Sequence, residues 1–412
     1  MMCRAVSRGR RTGSRVGRFA RLPLGLALGA TALIALETVA AGGVAAAAGG
    51  TWTQVHSTVS PPARERAGMA TGADGQTVVL FGGEGNAGLL DDTWVLDGAA
   101  WAQRRPTTSP PARAGGAMAG DTARGTVVLF GGTGAHGAID DTWIWDGTTW
   151  TEQHPTARPA PRVDPVLAFD SASGRMLLFG GVDAHGSFLN DTWTWNGADW
   201  EQASVTTAPP ARKAGSMAAD HGRASVLLFG GIDARGSFLN DTWTWDGASW
   251  TDRTPAVFVT GRERAGLAYD PANQSVLLFG GLGLRTLHND LWTWTGETWT
   301  ALKQAGRPPG RQAAGMATDM ARRRIVVFGG EGFNERNELV LLDDTWMWAG
   351  PAAQAVSVTG GATSVTSPTQ IVAANQVPTR DGDARARLSS VVLPLVLGVM
   401  LIGAGYALRR HG

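Results

Sequence analysis

FGGVDAHGSFLNDTWTWNGADW, residues 179–200, returns almost unchanged as FGGIDARGSFLNDTWTWDGASW at residues 229–250. The shared parts have a physical reading. FGG closes an apolar run, and paired glycines let a chain turn through backbone conformations other residues avoid. NDTWTW is short, aromatic and suited to a strand. The exchange of His185 for Arg235 falls between those two pieces, in the segment that packing dictates least.

The same spacing extends in both directions. Gly-Gly pairs stand at Gly82-Gly83, Gly131-Gly132, Gly180-Gly181, Gly230-Gly231, Gly280-Gly281 and Gly329-Gly330, in steps of 49, 49, 50, 50 and 49 residues. Each pair follows a short run such as VVLF, MLLF or IVVF, the pattern of a strand buried on both faces. Every unit reads as four strands. An R-x4-(M/L) piece comes first, then a turn and the FGG strand. A longer loop leads to (N/D)DTWxW, and a tight turn leads to a last strand centred on tryptophan. Those last tryptophans are Trp52, Trp101, Trp150, Trp200, Trp250 and Trp299.

The sixth unit stops at residues 344–348 with no tryptophan strand after it, while Trp52 precedes the first unit. The expected fold is therefore all-β, six four-stranded sheets in a ring, with the strand around Trp52 completing the last sheet. Such closure protects sheet edges. A linear solenoid leaves Trp52 unexplained and requires caps.

The double glycine after an apolar strand, the NDTW-type segment, the later tryptophan and the Pro-x-Arg before the next unit resemble kelch repeats. They run through residues 51–350. The resemblance implies a six-bladed kelch-type β-propeller within the wider superfamily of the galactose oxidase central domain, of a bacterial, secreted or membrane-anchored kind. It does not extend to that enzyme's copper site. The site resembles a mix of Tyr, His and a Cys-Tyr crosslink, whereas the only tyrosines here are Tyr269 and Tyr406 and the only cysteine is Cys3. A six-bladed sialic-acid epimerase also shares the fold class, but no catalytic residue of it can be matched here.

All 17 tryptophans fall within the repeats and read as packing between blades, with sugar stacking the minor alternative. An arginine opens each first strand: Arg64, Arg113, Arg162, Arg212, Arg262 and Arg311. An aspartate stands two residues before each DTW or DLW tryptophan: Asp92, Asp141, Asp191, Asp241, Asp290 and Asp344. First and third strands start on the same face, so the two rings are expected within reach as repeated ion pairs. Anion binding by the arginines is the alternative.

Second-to-third loops and blade-to-blade connections share that face and are long, which makes it the place to look for recognition. The candidate binding residues there are His136, His185, Arg235, Arg285, His288, Glu331, Arg336 and Glu338; the sixth unit has the longest loop, residues 331–344. His56 and His154 lie on the same side. These histidines come from different blades without ligand spacing, so no metal site is expected. No cofactor motif, nucleophile elbow or phosphate loop occurs. The sequons at Asn190 and Asn240 belong to the recurring strand start.

The ends carry their own signals. Residues 1–48 combine seven arginines, an apolar run from Leu22 to Leu36 and small residues, the pattern of a secretory signal, with an uncleaved anchor as alternative. Residues 351–388 read as a flexible linker, 389–408 as a transmembrane helix and 409–412 as a cytoplasmic tail. The expected location is thus the cell membrane, single-pass, with the propeller extracytoplasmic. A formal net charge of +1 gives no reason to expect nucleic acid. The reading is a surface module binding an unknown protein or glycan through its long-loop face. A carbohydrate-active enzyme with a pocket at the channel mouth, epimerase or lyase-like, is the alternative, and a purely structural envelope protein a third.

Overall fold

The computed structural model describes residues 47–334 and 336–350. Of the expected signal segment, residues 1–48, all but Ala47 and Ala48, which open a strand, lie outside the described residues, as do the linker, the membrane span and the tail. Among the described residues there is no helix.

The first unit shows how each sheet is made. Strands Gly68–Thr71, Thr77–Phe81, Thr93–Asp97 and Ala100–Arg104 pair antiparallel in sequence order. The pattern recurs behind the inner strands Ala117–Asp121, Val166–Asp170, Ser216–Asp220, Gly266–Asp270 and Gly315–Asp319. Each inner strand lies beside those of the units before and after it. Gly68–Thr71 lies beside Gly315–Asp319, so the inner strands form a closed cycle around a channel.

The continuous apolar runs follow from this arrangement. Successive strand residues point to opposite faces, and both faces of each sheet meet a neighbour. In Thr77–Phe81, Val79 and Phe81 pack with Val127, Leu129 and Trp150 of the second unit. Val78 and Leu80 pack with Val326 and Phe328 of the last. Alternation with polar residues would leave one face unpacked.

The last-strand tryptophans bind units together. Trp150 meets Phe81 of the preceding unit edge-on at 5.2 Å, and its Nε1–H donates to Thr93 Oγ1 at 2.9 Å. The same pair of contacts joins Trp101 to Phe328 and Thr345, Trp200 to Phe130 and Thr142, Trp250 to Phe179 and Thr192, and Trp299 to Phe229 and Thr242.

Strand Ala47–Val55 completes the last sheet. It pairs antiparallel with Thr345–Ala349, with Trp52 opposite Trp348. It also runs parallel to Trp299–Ala305 of the fifth unit, which merges two four-stranded groups into one eight-stranded sheet. This second pairing is not legible in the repeat pattern. Gly49 suits it, because a Cβ there would stand 3.1 Å from the Lys303 carbonyl, while Gly50 serves the antiparallel pairing, where a Cβ would overlap the Trp348 indole.

The glycine pairs are required for the same closeness. Gly82 and Gly83 have φ of +62° and +98°. A Cβ on either would stand 2.7 Å from a backbone carbonyl, of Arg113 or Glu65. The Gly83 N–H in turn donates to the Arg113 carbonyl of the next unit at 2.8 Å, and Gly330 donates to Arg64 to close the circuit.

Candidate functional site

The six arginines are not in the first strands of the sheets, as the sequence suggested. Each stands four residues ahead of its inner strand, on a separate stretch at the loop-face rim. Arg64–Glu65 is a two-residue strand paired with Glu84–Gly85, and Arg162–Val163 and Arg311–Gln312 pair likewise with Val182–Asp183 and Glu331–Phe333. The R-x4-(M/L) piece therefore contains a break, and the break forms the channel mouth.

Each arginine is buried to within 1–2% exposure and is fully engaged. Arg64 donates from Nε to the Pro62 carbonyl, from Nη1 to the Gly82 carbonyl and from both Nη atoms to the Asp92 carboxylate. The Asp92 carboxylate also accepts from Trp94 Nε1 at 2.6 Å. The arrangement repeats at Arg162–Asp191, Arg212–Asp241, Arg262–Asp290 and Arg311–Asp344, with closest N···O distances of 2.5–2.6 Å, and at Arg113–Asp141. Burial alone would raise the Asp92, Asp191 and Asp290 carboxyls; their arginine and tryptophan donors outweigh it and hold them below the ordinary range. With every guanidinium committed to a carboxylate and two carbonyls, this ring is a fastening of loop to sheet and offers no anion site.

Two residues beyond each arginine lies a second ring. Arg66, Asp164, Ala214, Arg264 and Ala313 have φ of +52° to +55°, and Gly115 has +64°. Left-handed backbone costs a non-glycine residue roughly 1 kcal/mol or more. Here it is held by a cyclic set of hydrogen bonds. The N–H of each residue donates to the carbonyl of its counterpart in the preceding unit, Gly115 to Arg66 and onward around to Arg66 to Ala313, at 2.8–3.0 Å. Charged and small residues alternate around this ring. Asp164 Oδ1 accepts from Arg66 Nη2 at 2.8 Å, and Asp164 Oδ2 accepts from Arg264 Nη2 at 3.3 Å. The Arg66–Asp164 bridge passes over Gly115, where a Cβ would overlap both partners.

These groups line a concavity of about 130 Å³ at the mouth. Glu65 and Glu263, each 9% exposed, adjoin it. Burial pushes both carboxyls above their ordinary range; repulsion from Glu331 adds to the effect at Glu65, while Arg264 opposes it at both. Burial outdone by Arg66 and Arg264 holds Asp164 low. Sequence reading missed this mouth. Its only signal is the alternation Arg66, Gly115, Asp164, Ala214, Arg264, Ala313, visible once the units are aligned on their arginines.

Deeper in the channel, Met69, Met118, Leu167, Met217, Leu267 and Met316 form one layer, five residues beyond each arginine, around a cavity of about 140 Å³. At its far end His221 meets the Tyr269 ring edge-on at 5.0 Å, and burial lowers the His221 pKa against the pull of Asp220.

The candidate binding residues are spread along the rim and do not converge. His136, His185 and Arg235 are exposed in the loops of the second, third and fourth units, and Arg285 in that of the fifth. His288 is half-buried, with Nδ1 3.9 Å from Asp290 Oδ1. Burial, reinforced by Arg262, lowers its pKa. Glu331 accepts from Gln312 Nε2 at 2.6 Å, and Glu338 from Asn334 Nδ2 at 2.9 Å; Arg336 is exposed. Their loops fold back as hairpins, as in the pairing of Glu331–Phe333 with Leu339–Leu341. Among the described residues no group of histidine, cysteine and acidic side chains is placed to hold a metal.

A family model described as the KLHDC2/KLHL20/DRC7 Kelch-repeats domain matches residues 198–359. No curated protein matches the chain.

Proposed function

We propose that this chain is a six-bladed propeller of the kelch-repeat type, residues 198–359 matching a model of that family, and that it binds a partner protein through its long-loop face. One observation carries the reading: that face is made of hairpins that differ among the first, second, fifth and sixth units, only the third and fourth being nearly alike, mounted on sheets that differ little. A rigid, repeated scaffold with individual loops is built for recognition. Kelch repeats generally mediate protein–protein contacts, which supports the same reading. The glycan alternative has less support, since the rings best suited to sugar stacking are spent between blades: Trp52, Trp101, Trp150, Trp200, Trp250 and Trp299 are all within 4% of full burial.

The enzymatic alternative draws on the charged mouth. Yet Asp164 is committed to both Arg66 and Arg264, and no histidine lines that concavity. Binding is the better reading. The placement we propose, on the outer side of the cell membrane and held by residues 389–408, rests on the signal-like N-terminus and the uncharged stretch Val391 to Leu408 before Arg409 and Arg410.

Affinity capture with the full chain tests the function. It is repeated with the 331–341 hairpin shortened on the loop face and with Arg124→Ser on the opposite face. Partners lost with the hairpin and kept with Arg124→Ser support the reading. Capture indifferent to the loop face overturns it. Membrane fractionation with and without residues 389–412 tests the anchor.

A further inference from the structure

The loop face is not uniform. Among the described residues, the large apolar side chains left exposed are Val59, Val257, Phe258, Leu284, Phe333 and Leu339, with Leu284 at 80%. All belong to one arc of the loop face, from the connection entering the fifth unit to the connection entering the first. At the tips of the first four hairpins the corresponding residues are small, polar or charged: Asn86-Ala87, Ala135-His136, Ala184-His185 and Ala234-Arg235. The connection into the fifth unit reads VFVTGR where the first, second and fourth read PPAR before the inner strand.

The arc is continuous. A Cβ on Gly283 would lie 3.4 Å from the Gly261 carbonyl, one on Gly310 2.4 Å from the Leu287 carbonyl of the fifth hairpin, and one on Gly332 2.9 Å from the Gly310 carbonyl. The Arg64 N–H donates to the Leu342 carbonyl at 3.2 Å, which joins the sixth hairpin to the first unit. At the inner edge of the arc the chemistry is acceptor-rich. Glu65 and Glu331 are near enough to repel each other. Gln312, 8% exposed, spends its Nε2 on Glu331 and leaves Oε1 buried without a donor. The exposed arginines of the same loops, Arg285, Arg307 and Arg336, lie at or near the tips, and Arg66 and Arg264, which also act on Glu65, are engaged with Asp164 on the mouth side.

We propose, on the protein-binding reading above, that the arc over the fifth, sixth and first units docks an extended segment of a partner protein that carries a lysine or arginine flanked by apolar side chains. The basic group sits over Glu331, beside Glu65. The apolar side chains cover Phe258, Leu284, Phe333 and Leu339. A segment supplied by another molecule fits better than this chain's own tail, because the chain leaves the described region at Gly350, beside Asp270 and Asn273 on the face opposite the loops.

Random-dodecamer phage display panned against the full chain provides the test. The expected peptides carry a basic residue between apolar ones. Their affinity should fall at least tenfold with Leu284→Ser/Phe333→Ser, and at least tenfold with Glu65→Gln/Glu331→Gln, at unchanged melting temperature. The proposal is overturned if nothing enriches, if acidic peptides enrich, or if both double variants leave binding intact. It is also overturned if Arg380→Ser/Arg385→Ser/Arg387→Ser raises peptide affinity, since the arc would then hold the chain's own tail. Failure of these expectations with capture still dependent on the 331–341 hairpin refutes the arc and its chemistry alone; capture indifferent to that hairpin refutes the protein-binding reading itself.

Discussion

Trp52 Nε1 donates to Gln304 Oε1 at 2.8 Å, where the five other last-strand tryptophans donate to a threonine hydroxyl. The fifth unit reads DLW in place of DTW, so Leu291 occupies the threonine position and cannot accept. Gln304, on the extended last strand of the fifth unit, fills the vacancy from another direction. Gln304→Ala should therefore loosen the N-terminal strand at a cost of about 1 kcal/mol. Leu291→Thr in that background should restore part of it. Amide exchange of residues 51–55 reads both effects, and unchanged protection in Gln304→Ala counts against the account.

The Arg162–Asp191 fastening is closed to solvent on the arginine side, with that side chain 1% exposed. Arg162→Met leaves a carboxylate and two carbonyls without their donor. Removing one partner of a buried pair costs about 3–5 kcal/mol. Asp191→Asn together with Arg162→Met should recover part of the loss, because no charge is then left unpaired. Urea midpoints of the single and double variants provide the comparison.

Gly115 tests the mouth. Its φ is +64°, and a side chain there would strike the Arg66–Asp164 bridge. Gly115→Ala should cost more than about 1 kcal/mol. Arg66→Ala should relieve the collision with Asp164's partner and soften the penalty. If Gly115→Ala melts like the parent protein, the bridge does not constrain this position.

Acid should unfold the propeller from its fasteners. Asp92, Asp164 and Asp191 have folded pKa values below their unfolded ones. The unfolded chain thus takes up protons first as pH falls. Their stabilisation is complete above the unfolded carboxyl range, near pH 4, and is lost as pH drops through the lower folded values. His221 and His288 are depressed as well, chiefly by burial, so they begin to erode stability earlier, below about pH 6.5. Glu65 and Glu263, raised by burial, act in the opposite sense just above the ordinary glutamate pKa. Melting temperature followed from pH 7 to 3 should decline gently and then steeply. A maximum below pH 4 would contradict the signs.

Much of this was legible because the packing problem is repeated. A strand buried on both faces must be apolar throughout, and its turn must be glycine, so the 49–50-residue step shows on the page. The arginine and aspartate rings were legible from strand direction alone. Their exact seat was not, since Arg64 and Arg66 flank a backbone break that no propensity announces. Arg66 and Arg264 adopt left-handed backbone only because six N–H groups close a cycle, and that cycle exists only after all units have met. The mouth is a property of the ring and not of any one repeat. The parallel pairing of Ala47–Val55 with Trp299–Ala305 is hidden for a different reason: it uses residues 47–51, ahead of the tryptophan-centred segment that the repeats share.

The position of Gly350 has a practical consequence. Thr345–Ala349 starts next to the Arg311–Asp344 fastening and ends beside Asp270 and Asn273, so the chain crosses from one face of the ring to the other before it leaves. A group attached at Gly350 itself, whether a bead or a fluorophore, is on the side of the short turns. Immobilisation at that residue therefore presents the hairpins outward, and a label placed there reports on the ring without standing between the loops and what they meet.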